Sequence, residues 1–203
     1  MYIKRALYIL LALTVCVMAS VSCSTKKNTA ASRFWQSFNT RYNVYYNGSQ
    51  AYIEGEKSKV QGHKDNYTEF LPVFLVGNEK SRTSGKSSFE TAITKCQKAI
   101  ALHSIKRRPV VSASKRKTPK MKAYLQRKEY NPFLKNAWLM MGRAQFEKGD
   151  FLEAAATFSY IARLYAAEPA VAAEANQWLA RCYTQEKWYY DAEDALKRMR
   201  RDT

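Results

Sequence analysis

Two stretches decide the fold: AWLMMGRAQFEKGDFLEAAATF at residues 137–158 and NQWLARCYTQEKWYYDAEDAL at residues 176–196. Gly142 and Ala154 in the first are matched by Ala180 and Ala192 in the second, both at the same offset. Two anchors sharing one offset mark an internal repeat. Around them, Trp138, Met141 and Phe158 in the first copy and Leu179, Tyr183 and Leu196 in the second occupy apolar positions at helical spacing. Gly149-Asp150 reads as a turn, so each copy is predicted to be a helix-turn-helix. The small residues fall where one helix crosses the other, since a larger side chain there would force the pair apart.

The spacing resembles the tetratricopeptide pattern W-x2-L-G-x2-Y…A-x3-F, with Gln145 in place of the tyrosine. Relative to the usual period of about 34, the extra residues fall within 166–170. Pro169 there suits the first turn of a helix, where its missing N–H is not needed. The expected fold is all-α: a tetratricopeptide-type helical-hairpin solenoid with an irregular basic insertion. Its packing positions are Trp138, Gly142, Ala154, Phe158, Ala180, Tyr183 and Ala192. Repeats of this kind are binding scaffolds without catalytic machinery of their own, so the chain is expected to be no enzyme and to need no cofactor.

The formal net charge of +17 is unevenly spread. Residues 133–203 hold 10 Lys/Arg against 10 Asp/Glu, whereas residues 1–132 hold 24 against 7. The repeat pair is neutral, and the amino-terminal part carries the whole excess. No two of Cys16, Cys23, Cys96 and Cys182 have the C-x2-C spacing of a zinc or redox site, and only His63 and His103 could assist, so no metal site is expected. Cys96 and Cys182 lie on apolar helix faces and read as buried small hydrophobes rather than a disulfide.

Lys4 and Arg5 precede an apolar run over residues 6–19, too short to span a bilayer, and then Ser20-Val21-Ser22-Cys23. Residues 1–22 read as a signal peptide and Cys23 as the lipidated cysteine of a bacterial lipoprotein. Val21 and Ser22 fit such a box, and Ser20 departs from it. A secreted protein or an uncleaved anchor is the alternative. In each case the mature chain is expected outside the cytoplasm. Residues 23–32, rich in Ser, Thr, Lys and Asn, read as a tether.

Residues 33–60 suggest a degenerate first repeat. Trp35, Phe38 and Tyr42 repeat the aromatic spacing, Ala51 follows Trp35 at the interval by which Ala154 follows Trp138, and Asn47-Gly48 is the expected turn. Its aromatics are expected on a buried face. Residues 61–88 read as a connector and loop. Gly85-Lys86-Ser87 ends like a P-loop, but Lys80 stands where that motif needs a glycine, so the motif is rejected. Residues 89–105 return to helical periodicity, as though a second helix of another repeat.

A basic linker follows over 106–131. Between residues 104 and 128 there are ten Lys/Arg and no Asp or Glu. Its densest part is Lys106, Arg107, Arg108, Lys115, Arg116, Lys117, Lys120 and Lys122, and Pro109 and Pro119 interrupt any continuous helix. Like charges at this density favour an extended or disordered centre. The block suits an acidic partner, such as anionic lipid, cell-wall polymer or an acidic protein surface; the alternative is a solvated loop. Nucleic acid is not expected, because stacking aromatics are not interleaved and the leader argues for export.

Residues 132–203 form the repeat pair. Arg143 and Arg181 are equivalent positions and are expected side by side in a groove, next to Phe146, where two guanidiniums could hold a carboxylate or an acidic peptide. The alternative is two arginines paired with Glu147 and Glu174. At the carboxyl end Ala192, Leu196 and Met199 are expected to present an uncovered edge, so that the chain continues in a longer protein or a partner covers it.

Several motifs occur together: Cys23, residues 33–52, Lys106-Arg107-Arg108-Pro109, Tyr130-Asn131-Pro132-Phe133…Asn136-Ala137-Trp138, Gly149-Asp150-Phe151…Glu153-Ala154-Ala155 and Trp178-Leu179-Ala180-Arg181-Cys182-Tyr183. As a set they resemble the amino-terminal part of the tetratricopeptide lipoproteins of the Bacteroidota gliding-motility and type IX secretion apparatus, the SprE/PorW family. The resemblance implies an outer-membrane lipoprotein, facing the periplasm, that links the translocon to ring and motor proteins. A cell-wall-binding lipoprotein is the competing expectation.

Overall fold

The computed structural model describes residues 27–68, 70–71, 75–76 and 82–202. The expected signal peptide, Cys23 and the first part of the tether lie outside the described residues, as do parts of the connector and loop. Every regular element among the described residues is a helix. They are α1 (Ala30–Asn39), α2 (Tyr46–Gly62), α3 (Lys86–His103), α4 (Ala113–Arg116), α5 (Pro119–Leu125), α6 (Leu134–Lys148), α7 (Phe151–Leu164), α8 (Pro169–Gln185) and α9 (Tyr189–Asp202).

The Thr29 hydroxyl caps α1 by accepting from the Ser32 N–H. A π-helical turn, Thr40–Tyr45, carries α1 into α2 without a break. This corrects the reading of residues 33–60 as a hairpin turning at Asn47-Gly48. Asn47 instead donates its side-chain amide to the Asn43 carbonyl at 2.7 Å, within the helix. Gly48 is small for another reason: a Cβ there would lie 3.1 Å from Met140 Cε and 3.2 Å from Lys95 Cβ. The aromatics are also placed differently. Phe34, Trp35, Phe38, Tyr42 and Tyr46 are exposed, and Tyr45 alone of the group packs inward, edge-on to Phe133.

The first packed pair is α2 with α3, and it follows the same local rule as α6 with α7. A Cβ on Gly55 would lie 2.7 Å from the Phe89 ring, and one on Gly142 would lie 2.7 Å from the Phe158 ring. Both phenylalanines are wholly buried, worth about 1.5–3 kcal/mol each in apolar burial. Consecutive helices then pack in chain order: α2 on α3, α3 on α6, α6 on α7, α7 on α8, and α8 on α9. Trp138 on α6 touches all three groups of buried apolar residues and joins the α2–α3 core to the α7–α8 core.

At the carboxyl end, Ala192 and Ala195 are buried against α8, which corrects the expectation for Ala192, while Leu196 stays exposed.

Between α3 and α6 the basic segment closes on itself. The Tyr130 N–H donates to the Ile105 carbonyl at 2.9 Å. The buried Glu129 carboxylate accepts from the backbone N–H groups of Ile105, Tyr130 and Asn131 and from the Ser104 hydroxyl. The Asn131 amide reaches the Thr40 hydroxyl and the His103 carbonyl, tying the base of the loop to the π turn and the end of α3. The extended centre expected from charge repulsion holds two short helices instead, because Thr118 caps α5 and Pro119 starts it.

Candidate functional site

Two surfaces hold the residues singled out by the sequence. On the first, the repeat period brings Arg143 and Arg181 together over the face of Trp178. Their guanidinium carbons lie 5.3 and 4.4 Å from the indole centroid. Arg143 also forms an ion pair with Glu174. Its Nε is buried with no hydrogen-bond partner among the described residues, so this head group retains one donor.

Phe146 does not line the surface. It is 3% exposed, edge-on to both Phe151 and Trp178, because its position on α6 faces α7 and α8. Glu147 is likewise not the partner of an arginine. It is taken by Lys59, whose Nζ lies 3.0 Å from Glu147 Oε2 and which is 4% exposed. Sequence reasoning missed Trp178 as the element that gathers the arginines, although its position one turn from Arg181 on the same helix was the available signal.

The packing residues are placed as close contacts. Ala154 and Phe158 are fully buried, Ala180 and Ala192 nearly so, and Tyr183 is half-buried with its ring 5.8 Å from that of Trp188. Cys96 and Cys182 are buried and free, and burial pushes each thiol up to about 12.

The second surface is the basic loop. Lys106, Arg107, Arg108, Lys115, Arg116, Lys117, Lys120 and Lys122 are all exposed. A cleft of about 700 Å³ opens between the loop and the start of α1. Among the described residues five cations line it (Lys27, Arg33, Arg107, Arg108 and Lys115) and no Asp or Glu does. Asn28 fastens its two sides: its amide donates to the Arg107 carbonyl at 2.7 Å, and its carbonyl oxygen accepts from Arg33. The Arg33 guanidinium lies 5.9 Å from the Tyr124 ring. Lys27 and Arg33 were not part of the sequence patch, because α2 and α3 both intervene along the chain before it begins.

Among the described residues no group of His, Cys, Asp or Glu could hold a metal ion, and no helix is long and apolar enough to cross a membrane. Compared with known proteins, the chain matches no protein-family model, and no curated protein matches it in sequence.

Proposed function

We propose that this chain is a non-enzymatic tetratricopeptide-type scaffold, carried on an outer-membrane lipoprotein anchored at Cys23, that serves type IX protein secretion and gliding motility. In that role it links the translocon to periplasmic ring and motor proteins. The observation that carries the scaffold reading is the recurring helix crossing. Gly55 meets Phe89 as closely as Gly142 meets Phe158, and Ala180 and Ala192 are small residues buried in the core shared by the last helix pair. Three helix pairs packed in chain order are what a solenoid of hairpins requires. The motif set from Cys23 to Tyr183 supports the secretion assignment by resemblance.

Within the scaffold, the Arg143–Trp178–Arg181 surface is the proposed site for an acidic segment of a partner, which would meet the two guanidiniums over the indole. The deciding experiment is affinity capture of the full chain from solubilised envelopes of its own cell. Recovery of translocon or ring proteins, lost with Arg143→Ala plus Arg181→Ala, is the expected outcome. Unchanged recovery by that double variant would exclude the arginine surface.

The second reading, a cell-wall- or envelope-binding lipoprotein unrelated to secretion, is favoured by the acid-free basic loop. Co-sedimentation with peptidoglycan and no captured translocon protein would select it. Mass spectrometry of the mature amino terminus tests the anchor, and a terminus other than an acylated Cys23 would exclude it.

A further inference from the structure

Among the described residues an unusual surface runs along α1 into the π turn. Phe34, Trp35, Phe38 and Tyr42 form an exposed band in which Phe38 contacts the other three rings, at 6.2, 6.4 and 4.9 Å. The buried side of the same helix segment is polar, with Gln36 and Thr40 turned inward. The segment is therefore amphipathic in the reverse sense to a core helix, presenting its aromatic face to the surroundings. Arg33 and Arg41 flank the band, and the five-cation cleft opens beside Arg33. Val110, on the rim of that cleft, is 95% exposed.

Aromatic rings next to Lys and Arg suit the boundary between headgroups and acyl chains, where the ring is partly desolvated and the cations meet phosphate. A water-facing role explains neither the aromatic band nor the absence of acids in the cleft. Position along the chain adds a second argument. Lys27 lies four residues after Cys23, a reach of at most about 14 Å. An acyl anchor at Cys23 would hold the cleft within headgroup distance of the bilayer, and this part of the argument rests on the lipoprotein reading above.

We infer that α1 and the basic loop together form a bilayer-docking surface: the aromatic band enters the interface, and Lys27, Arg33, Arg107, Arg108 and Lys115 bind the phosphates of anionic lipid headgroups. The Asn28 bridge joins the two sides of the cleft. The docking surface orients the repeats relative to the membrane, which a flexible tether alone cannot do.

The test uses the full chain carrying Cys23→Ala, so that acylation plays no part, with vesicles of phosphatidylcholine alone or with phosphatidylglycerol added. The leader, with Lys4 and Arg5, is the same in every variant, so each preference is read as a ratio to that of the Cys23→Ala chain. Added phosphatidylglycerol is expected to strengthen binding by about tenfold or more, and Arg107→Glu with Arg108→Glu and Lys115→Glu to lower that preference by about fivefold or more. Trp35→Ala with Phe38→Ala is expected to weaken binding to both kinds of vesicle alike.

A control reversal at Lys187, Lys197 and Arg200 changes the net charge equally and is expected to keep most of the preference. Equal loss in the control would overturn the cleft assignment, as would an unaffected triple variant. Competition by millimolar inorganic phosphate, absent with chloride at the same ionic strength, would assign the cleft to free phosphate and overturn the docking reading. Should the charge-reversed chain lose its helical circular dichroism, the Gln versions of the three substitutions replace it. Vesicle binding is read without the acyl group, so its failure is distinct from failure to find acylated Cys23.

Discussion

Gly55 and Phe89 meet so closely that the Cβ the glycine lacks would lie 2.7 Å from the ring. Gly142 and Phe158 make the same contact with only one tight turn between their helices, whereas Gly55 and Phe89 lie on either side of a long excursion between α2 and α3. That excursion leaves the closeness of the contact unchanged. Gly55→Ala and Gly142→Ala are each expected to lower stability by about 1–3 kcal/mol through overpacking. Thermal or urea unfolding measures this, and a neutral Gly55→Ala would break the equivalence of the two pairs.

Glu129 closes the basic loop by accepting four hydrogen bonds at its base. Glu129→Ala leaves buried N–H groups without partners, at a cost on the order of 1–3 kcal/mol for each one that water cannot reach. The loop should then open locally before the helices unfold. Limited trypsin digestion reads this directly, since the loop is rich in Lys and Arg: cleavage within 106–128 is expected to accelerate while α6–α9 resist.

Lys59 and Glu147 form an ion pair whose lysine is almost fully buried beside the Phe89 ring. Removing only the acid, as in Glu147→Ala, leaves the lysine charge with the residue 147 backbone carbonyl but no counter-ion and is expected to cost about 2–4 kcal/mol. Replacing both, as in Lys59→Met with Glu147→Leu, is expected to recover most of that loss. A double variant no better than the single one would mean that the loss comes from the missing ion pair itself and not from an unpaired lysine charge.

Both buried thiols are held neutral by desolvation. Their pKa is raised from 9.0 to about 12. The unfolded chain therefore loses its thiol protons first as pH rises, so this contribution to stability is complete below about pH 9 and declines from there towards pH 12. At pH 8 neither Cys96 nor Cys182 should react with a thiol reagent until denaturant is added. Prompt labelling of the native protein would show that these helices open readily.

The four helices from Leu134 to Asp202 were legible because their small residues, aromatic residues and turn share one offset, with the extra residues confined to the turn at 166–170. The α2–α3 pair was not, since the whole of 56–84 separates Gly55 from Gly85 where α3 begins, and no periodicity survives such a gap. Gly48 misled because glycine marks both turns and close approaches, and only the neighbouring Met140 and Lys95 distinguish them. The π turn at Thr40–Tyr45 also breaks the 3.6-residue count, so the aromatics before it could not be phased against Ala51. The common offset makes Arg143 and Arg181 equivalent, and both guanidiniums lie over Trp178, whereas Phe146 is buried, a difference that offset alone does not show. The cationic cleft joins residues from distant parts of the chain, and a patch of that kind is written only in three dimensions.

The helix that runs from residue 30 to residue 62 has no loop in it, and at 1.5 Å per residue it is about 50 Å long. One end bears the aromatic band and is joined to the last residue of α3 through Gln36 and His103, and the other is locked into the first packed pair through Gly55. It is a mechanical strut. A tilt imposed at Phe34 reaches α3 through continuous helix, and the π turn is the one place along it where the backbone departs from α geometry. Whatever grips the amino-terminal end thereby sets the attitude of the first helix pair, with leverage that a jointed linker would dissipate.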